Sequence, residues 1–177
     1  MRRIWIGRVL AVVAVLGLTV SATSADESVV SMKAKLSGFQ EVPPKLTGGI
    51  GSFSATIHGG TISYRLTYAG LSSPAFMAHI HFGQPAVAAG IFLWLCGSSS
   101  APGPAGTPTC PAAGGTVSGT GTAAAIQTLP GQNLTAGDFA GALQIIANGD
   151  AYVNVHTTNF PAGEIRGQVK SAGDTSD

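Results

Sequence analysis

The sequence of 177 residues carries nine basic and eight acidic side chains, so its formal net charge at pH 7 is +1. Charged residues make up only 10% of the chain, and this sparse, balanced charge argues against nucleic acid as a partner. The 25 glycines, together with the lack of any long helical periodicity, favour an all-β domain with many turns.

The N-terminal segment has the three parts of a secretory signal peptide. Three arginines lie within the first eight residues, an apolar run ends near Val20, and small residues continue to Ala25. This pattern predicts a signal peptide over residues 1–25, with cleavage after Ala25 or after Ala22. The alternative is a short membrane anchor, but the apolar run is shorter than the roughly 20 residues that a span requires.

Cleavage after Ala25 would leave residues 26–170 as one domain and residues 171–177 as a polar tail. It would also remove three arginines and leave six basic against eight acidic side chains. No membrane span is expected after cleavage, and the predicted location is secreted or periplasmic.

Cys96 and Cys110 are the two cysteines of the chain. In an exported protein an even number of cysteines predicts a disulfide, here closing a loop rich in Gly, Pro, Ser and Thr. The alternative is a pair of free thiols that bind a soft metal.

Alternation of apolar and polar side chains predicts the strands of the first half. Between Val29 and Phe39 apolar residues alternate with lysines, which is typical of a strand with one buried face. Two further alternating runs, 51–57 and 61–68, flank a Gly-rich tip and predict a hairpin. His58 falls at the end of that hairpin, where a solvated turn histidine is expected.

The second half contains further strands and one helix. The continuous apolar run 90–96 predicts a strand buried on both faces, residues 115–126 another strand, and residues 163–169 the last one. A short helix is predicted near 138–147, capped by Thr135 or Asp138, because three apolar residues recur there at helical spacing: Phe139, Leu143 and Ile146. With about eight strands in all, the predicted fold is an all-β Greek-key sandwich or barrel.

Histidines occur in two β-prone segments. His79 and His81 are two residues apart, so they would share one face of a strand. His156 lies in a similar segment far downstream, and three imidazoles converging on one point could hold one copper or zinc ion. The alternative is a structural cluster in which the rings bond to loop carbonyls.

Charged and polar residues near these segments give the other candidate site residues. Arg166 is expected to form an ion pair with Glu164 or Glu41, or else to contact an anion. The side chains expected to orient the histidine rings are Asn154, Thr157 and Gln168. The chain has no nucleophile-elbow, Walker or dinucleotide motif, so no catalytic residue is predicted and a non-enzymatic function is favoured.

Four segments, in order, resemble the chordin-type (CHRD) domain family: residues 36–44, 78–83, 152–157 and 161–169. They span about residues 30–170, and the chain looks like a bacterial-type, single-domain exported member. The resemblance implies a β-sandwich in an extracytoplasmic location, with an extracellular or envelope protein as a possible partner, and it implies no settled activity. The oligomeric state is left open.

A more distant resemblance is to copper–zinc superoxide dismutase. By position, His79, His81 and His156 look like three of its copper ligands, and Arg166 is similar to its anion-guiding arginine. The chain lacks the enzyme's zinc-ligand cluster and its bridging histidine. This second resemblance implies a copper site, and it makes a dismutase-like copper enzyme the alternative function.

Overall fold

A computed structural model describes residues 30–171; the predicted signal peptide and all but the first residue of the predicted tail lie outside that range. The one α-helix of this range, α1, spans Phe139–Ala147. Its strands are β1 (Val30–Ser37), β2 (Ile50–His58), β3 (Thr61–Ala69), β4 (Ala75–Phe82), β5 (Ile91–Cys96), β6 (Gly115–Gly121), β7 (Ala151–Thr157), β8 (Ile165–Gln168) and β9 (Lys170–Ser171).

The strands form one nearly closed antiparallel sheet. Its hydrogen-bonded order is β5-β4-β7-β8-β1-β2-β3-β6, and the two-residue β9 pairs with β1. The crossovers in this order place strands that are distant in sequence, such as β4 and β7, side by side. The predicted all-β fold with a short helix is confirmed.

Strands β1 to β3 bury one face only. Along β1 the apolar Met32, Ala34 and Leu36 are buried, whereas the intervening Lys33 and Lys35 are exposed. Strands β2 and β3 pair over their full length, which confirms the predicted hairpin. The meander therefore supplies one wall of the core and turns its polar face to solvent.

Strands β4, β7 and β8 differ because both of their faces are covered. All seven residues of β7 are buried. One face belongs to the apolar core and includes Ile80, Val153 and Val155. The other face carries polar side chains beneath the loops, and it holds the candidate site.

A tyrosine links the two ends of the sheet order. Tyr64 of β3 lies opposite Gly119 of β6, and its hydroxyl donates to the Leu95 carbonyl of β5 at 2.8 Å. A Cβ atom on Gly119 would lie 2.3 Å from the Tyr64 hydroxyl. The lack of a side chain at Gly119 thus lets the tyrosine pass across β6 and bond the other end strand.

Helix α1 begins where Asp138 accepts a hydrogen bond from the Gly141 amide, so of the two predicted caps Asp138 is the one used. Its buried residues are Ala142, Ile145 and Ile146, whereas Phe139 and Leu143 are half-buried against the core. The buried face is therefore rotated from the predicted one. Within residues 30–171 no helix has the length and apolarity needed to cross a membrane.

The predicted disulfide is confirmed. Cys96, at the end of β5, is bonded to Cys110 across a sequence separation of 14 residues. The loop that it closes packs against β5, because a Cβ atom on Gly103 would lie 2.7 Å from the Trp94 ring.

We expect Tyr64→Phe to lower the free energy of unfolding by about 1–2 kcal/mol, because the buried Leu95 carbonyl would lose its side-chain donor. Urea denaturation followed by far-UV circular dichroism measures this change. The matched control is Thr67→Val, which removes an exposed hydroxyl contact between β3 and β6. The control should change stability by less than about 0.5 kcal/mol. An equal loss in both variants would contradict the conclusion that Tyr64 stabilises the fold by joining β3 to β5.

Candidate metal centre

The pairing of β4 with β7 brings the three predicted histidines together. His79 and His81 share one face of β4, and His156 lies on the same face of the adjacent β7. All three are buried, with exposed fractions of 0%, 6% and 5%. One ligand atom from each ring lies within 4.8 Å of the others, so the group could hold a metal ion.

The triangle formed by the three ligand atoms is the right size for one small ion once the rings move slightly closer together. Because no side exceeds 4.8 Å, some point lies no more than about 2.8 Å from all three ligand atoms, against metal–nitrogen distances of about 2.0–2.1 Å for zinc. The rings need to approach by less than about 1 Å, which small side-chain rotations can supply.

Backbone carbonyls fix the tautomers of two rings. His81 Nδ1 lies 2.9 Å from the Ala89 carbonyl, and His156 Nδ1 lies 2.9 Å from the Pro161 carbonyl. A carbonyl only accepts, so both Nδ1 atoms carry hydrogen and both lone pairs are at Nε2. Metal-binding histidines are typically held in this way, with the second ring nitrogen donating to a carbonyl or carboxylate.

The third ring completes the network and leaves it short of donors. His79 Nδ1 lies 3.2 Å from His156 Nε2, which has a lone pair, so in the metal-free protein His79 Nδ1 donates. The lone pair of His79 is then at Nε2. His79 Nε2 and His81 Nε2 are both buried without a hydrogen-bond partner. A bound cation would satisfy such orphaned acceptors, each of which costs about 1–3 kcal/mol.

Aromatic rings enclose the imidazoles. Trp94 packs edge-on against His79 with the ring centroids 4.2 Å apart. Tyr152 stacks on His81 at 4.5 Å with the planes 2° apart. This packing excludes water and fixes the ring orientations.

The same burial keeps the rings neutral. It lowers the pKa of His79 to about 2, with the neighbouring His156 and His81 adding to the effect. It lowers the pKa of His81 to about 4 and that of His156 below its usual range, although in both cases the hydrogen bond to a backbone carbonyl acts in the opposite direction. Neutral imidazole is the form that binds metal, so at neutral pH the ligands need not lose protons.

The loop between β4 and β5 borders the site and is held by side chains of β7 and β8. The Arg166 guanidinium donates to the carbonyls of Gln84 and Val87 at 3.0 and 2.9 Å. The Tyr152 hydroxyl accepts from the Ala89 amide at 3.0 Å. Since Ala89 also binds His81, these contacts hold the loop in the position that orients the His81 ring.

Arg166 is buried, with an exposed fraction of 2%, and its guanidinium lies over the Tyr152 ring at 3.4 Å. The guanidinium and His81 lie on opposite faces of the Tyr152 ring, because His81 is stacked on one face and leaves only the other free. Arg166 also attracts the buried Glu41, and the two line the same cleft of about 270 Å³. Burial raises the pKa of Glu41 to about 7, although Arg166 and the Asn154 hydrogen bond act to lower it.

Glu164 lies in a separate network of hydroxyl groups. Its carboxylate accepts from the Thr47 hydroxyl at 2.6 Å, the Thr157 hydroxyl at 2.6 Å, and both the amide and the hydroxyl of Ser72. Of the two predicted partners for Arg166, the structure therefore places Glu41 near the guanidinium. Glu164 instead joins the loops that hold Thr47 and Ser72 to β7.

The side chains predicted to orient the rings bind elsewhere, and that prediction is wrong. Asn154 donates to Glu41, Thr157 donates to Glu164, and Gln168 donates to the carbonyls of Gly83 and Gly149. The ring N–H groups are directed to main-chain carbonyls and to His156. Sequence patterns carry no signal for a main-chain acceptor, although the apolar run that holds Trp94 could have indicated an aromatic neighbour.

Comparison with known proteins identifies one family. The model of the CHRD domain family matches residues 32–169, which is most of the chain. No curated protein and no solved structure gave a significant match.

The Glu164 network should make the fold sensitive to acid. Burial raises the pKa of Glu164, but the hydrogen bonds from Thr157, Thr47 and Ser72 outweigh it and leave the pKa below its ordinary value of 4.5. The carboxylate thus stabilises the fold above pH 4.5, and this contribution is lost as the pH falls through the lower folded-state pKa.

We expect Glu164→Gln to lower the free energy of unfolding at pH 7 by about 2 kcal/mol. The wild-type carboxylate is charged and accepts four hydrogen bonds, whereas the glutamine amide is neutral and would accept them less strongly. The difference from wild type should shrink as the pH falls below 4.5. Urea denaturation at a series of pH values measures both quantities. A difference that is constant from pH 7 to pH 3 would contradict the stabilising role of the carboxylate.

Proposed function

We propose that this chain, which belongs to the CHRD domain family, is an exported binding protein that holds one copper or zinc ion through His79, His81 and His156. Its partners in this proposal are other extracellular or envelope proteins. The proposal assigns no chemical reaction to the protein.

One observation carries the proposal: two buried imidazole nitrogens have lone pairs and no donor. A purely structural histidine cluster would be expected to satisfy its buried polar atoms. Main-chain carbonyls use up the N–H groups of His81 and His156, and one ligand nitrogen from each of the three rings lies within 4.8 Å of the others.

The donor set supports copper or zinc. Three neutral imidazoles suit both ions, and oxygen-seeking ions such as Mg²⁺ and Ca²⁺ prefer carboxylates and carbonyls. Ala89 and Pro161 hold the His81 and His156 rings, and Tyr152 and Trp94 exclude water from them. A bound ion would supply positive charge to the two orphaned nitrogens.

The disulfide supports export. A bond between Cys96 and Cys110 persists in an oxidising compartment, such as the extracellular space or the periplasm. The predicted signal peptide agrees with this location, and its residues lie outside the described part of the chain.

Calorimetric titration of the purified protein with Zn(II), and separately with Cu(II), should show one ion bound per chain. His79→Ala/His81→Ala should abolish this binding, because two of the three ligands are then lost. The fourth histidine, His58, is exposed at the end of β2 and offers the matched control. His58→Ala should bind like wild type.

Equal binding by wild type and the double variant would sink the proposal. So would a loss of binding in His58→Ala alone, since that result would place the ion on the surface of the hairpin. Circular dichroism of each variant shows whether the fold is retained.

The alternative is a superoxide dismutase-like copper enzyme. It needs a cation that attracts the anionic substrate, and Arg166 is the residue that the resemblance suggests. In this structure the Arg166 guanidinium is buried, donates to two loop carbonyls and lies over Tyr152. These contacts do not favour the role of a free guiding charge.

We therefore expect the copper-loaded protein to dismutate superoxide no faster than an equal concentration of free copper. A xanthine oxidase–cytochrome c assay measures the rate. Turnover well above free copper that falls in Arg166→Gln would instead establish the alternative.

A further inference from the structure

We propose that Met77 supplies a thioether sulfur as a fourth ligand at the three-histidine site, and that the site therefore selects copper, held as Cu(I), over zinc. This inference rests on the proposed function, because it adds one ligand to the ion that the three histidines hold. It goes beyond that function by naming which of the two ions the protein is built to bind.

Strand geometry places Met77 beside the histidines. It lies two residues before His79 on β4, the same spacing that separates His79 from His81, so the three side chains share one face. Met77 is also the direct cross-strand partner of His156 on β7. Such partners have Cβ atoms about 4.5–5.5 Å apart.

An irregularity in β4 adds to this arrangement. The register shifts between Ala75 and Met77, so that Phe76 is an extra residue on β4. Phe76 also faces the site, with its ring centroid 6.4 Å from that of His156. Bulges of this kind re-aim side chains and occur often beside functional sites. Here the bulge brings both Phe76 and Met77 opposite His156, Phe76 by its ring contact and Met77 by its strand pairing.

The methionine side chain suits the role. It is unbranched and has three rotatable bonds, so its sulfur can move toward an ion without a change in the backbone. Met77 is half-buried, so its side chain is not locked into the apolar core. Thioether sulfur is a soft ligand that favours Cu(I), whereas imidazole alone suits zinc and copper alike.

Charge favours a monovalent ion. Within residues 30–171 the candidate ligand group consists of three histidines and includes no carboxylate. Imidazole nitrogen and thioether sulfur are both neutral ligands, so no ligand anion would compensate the ion. Because the cost of burying a charge rises with the square of that charge, Cu(I) is penalised less than Zn(II) or Cu(II) in this enclosed site.

Two methionines within residues 30–171 provide a matched pair for the test. Met77 lies beside the site, whereas Met32 is buried in the barrel core on β1. Leucine replaces methionine in either place with little change of volume, so Met77→Leu and Met32→Leu should both fold. Cu(I) affinity is measured without oxygen by competition with a chromophoric chelator, and Zn(II) affinity is measured by calorimetry.

We expect Met77→Leu to weaken Cu(I) binding by about tenfold or more and to change Zn(II) affinity by less than about threefold. Met32→Leu should match wild type for both ions. X-ray absorption of the Cu(I)-loaded protein should show one sulfur neighbour beside nitrogen, absent in Met77→Leu and present in Met32→Leu.

Unchanged Cu(I) affinity in Met77→Leu, or a wild-type spectrum with nitrogen neighbours only, would overturn the inference and leave the three-histidine site standing. If wild type binds none of the three ions better than His79→Ala/His81→Ala, the proposed function itself fails. A loss of Zn(II) binding in Met77→Leu as well would indicate that this variant is misfolded. The X-ray absorption spectrum of the Cu(I)-loaded wild type then decides alone: a sulfur neighbour supports the inference and its absence overturns it.

Discussion

The antiparallel pairing of β4 with β7 determines both the core and the candidate site. On one face of the pair, Ile80, Val153 and Val155 join the apolar interior. On the other face the same register gathers the histidines. A shift of one residue would turn the histidines into the core and the apolar residues outward. The burial of the apolar face therefore fixes the geometry of the polar one.

Loops then convert that polar face into an enclosed site. The β4–β5 loop is held by Arg166 and Tyr152, and its Ala89 carbonyl binds His81. The loop after β7 does the same for His156 through Pro161. Because main-chain carbonyls take the Nδ1 hydrogens of His81 and His156, the lone pairs of both rings are left at Nε2. A fold that stabilises its loops in this way also prepares nitrogen ligands, and the low histidine pKa values follow from the same enclosure.

Patterns local to the chain predicted much of this molecule. Alternation predicted the β2–β3 hairpin, the spacing of His79 and His81 predicted their common face, and the cysteine pair predicted the disulfide. What failed depends on packing between distant segments. The buried face of α1 is rotated because Ala142 and Ile145 meet the core. The acceptors for the ring N–H groups are backbone atoms, which no side-chain pattern encodes, and the bulge at Phe76 arises only when β4 meets β7.

The central claim is that three buried imidazoles form one metal site. Crystals of the protein grown with Cu(II) or Zn(II), and measured at the absorption edge of the metal, test it most directly. The account predicts one strong anomalous peak between the rings of His79, His81 and His156, with the hydrogen bonds to Ala89 and Pro161 retained. Empty density among the three rings, with the metal instead on the exposed His58, would contradict it.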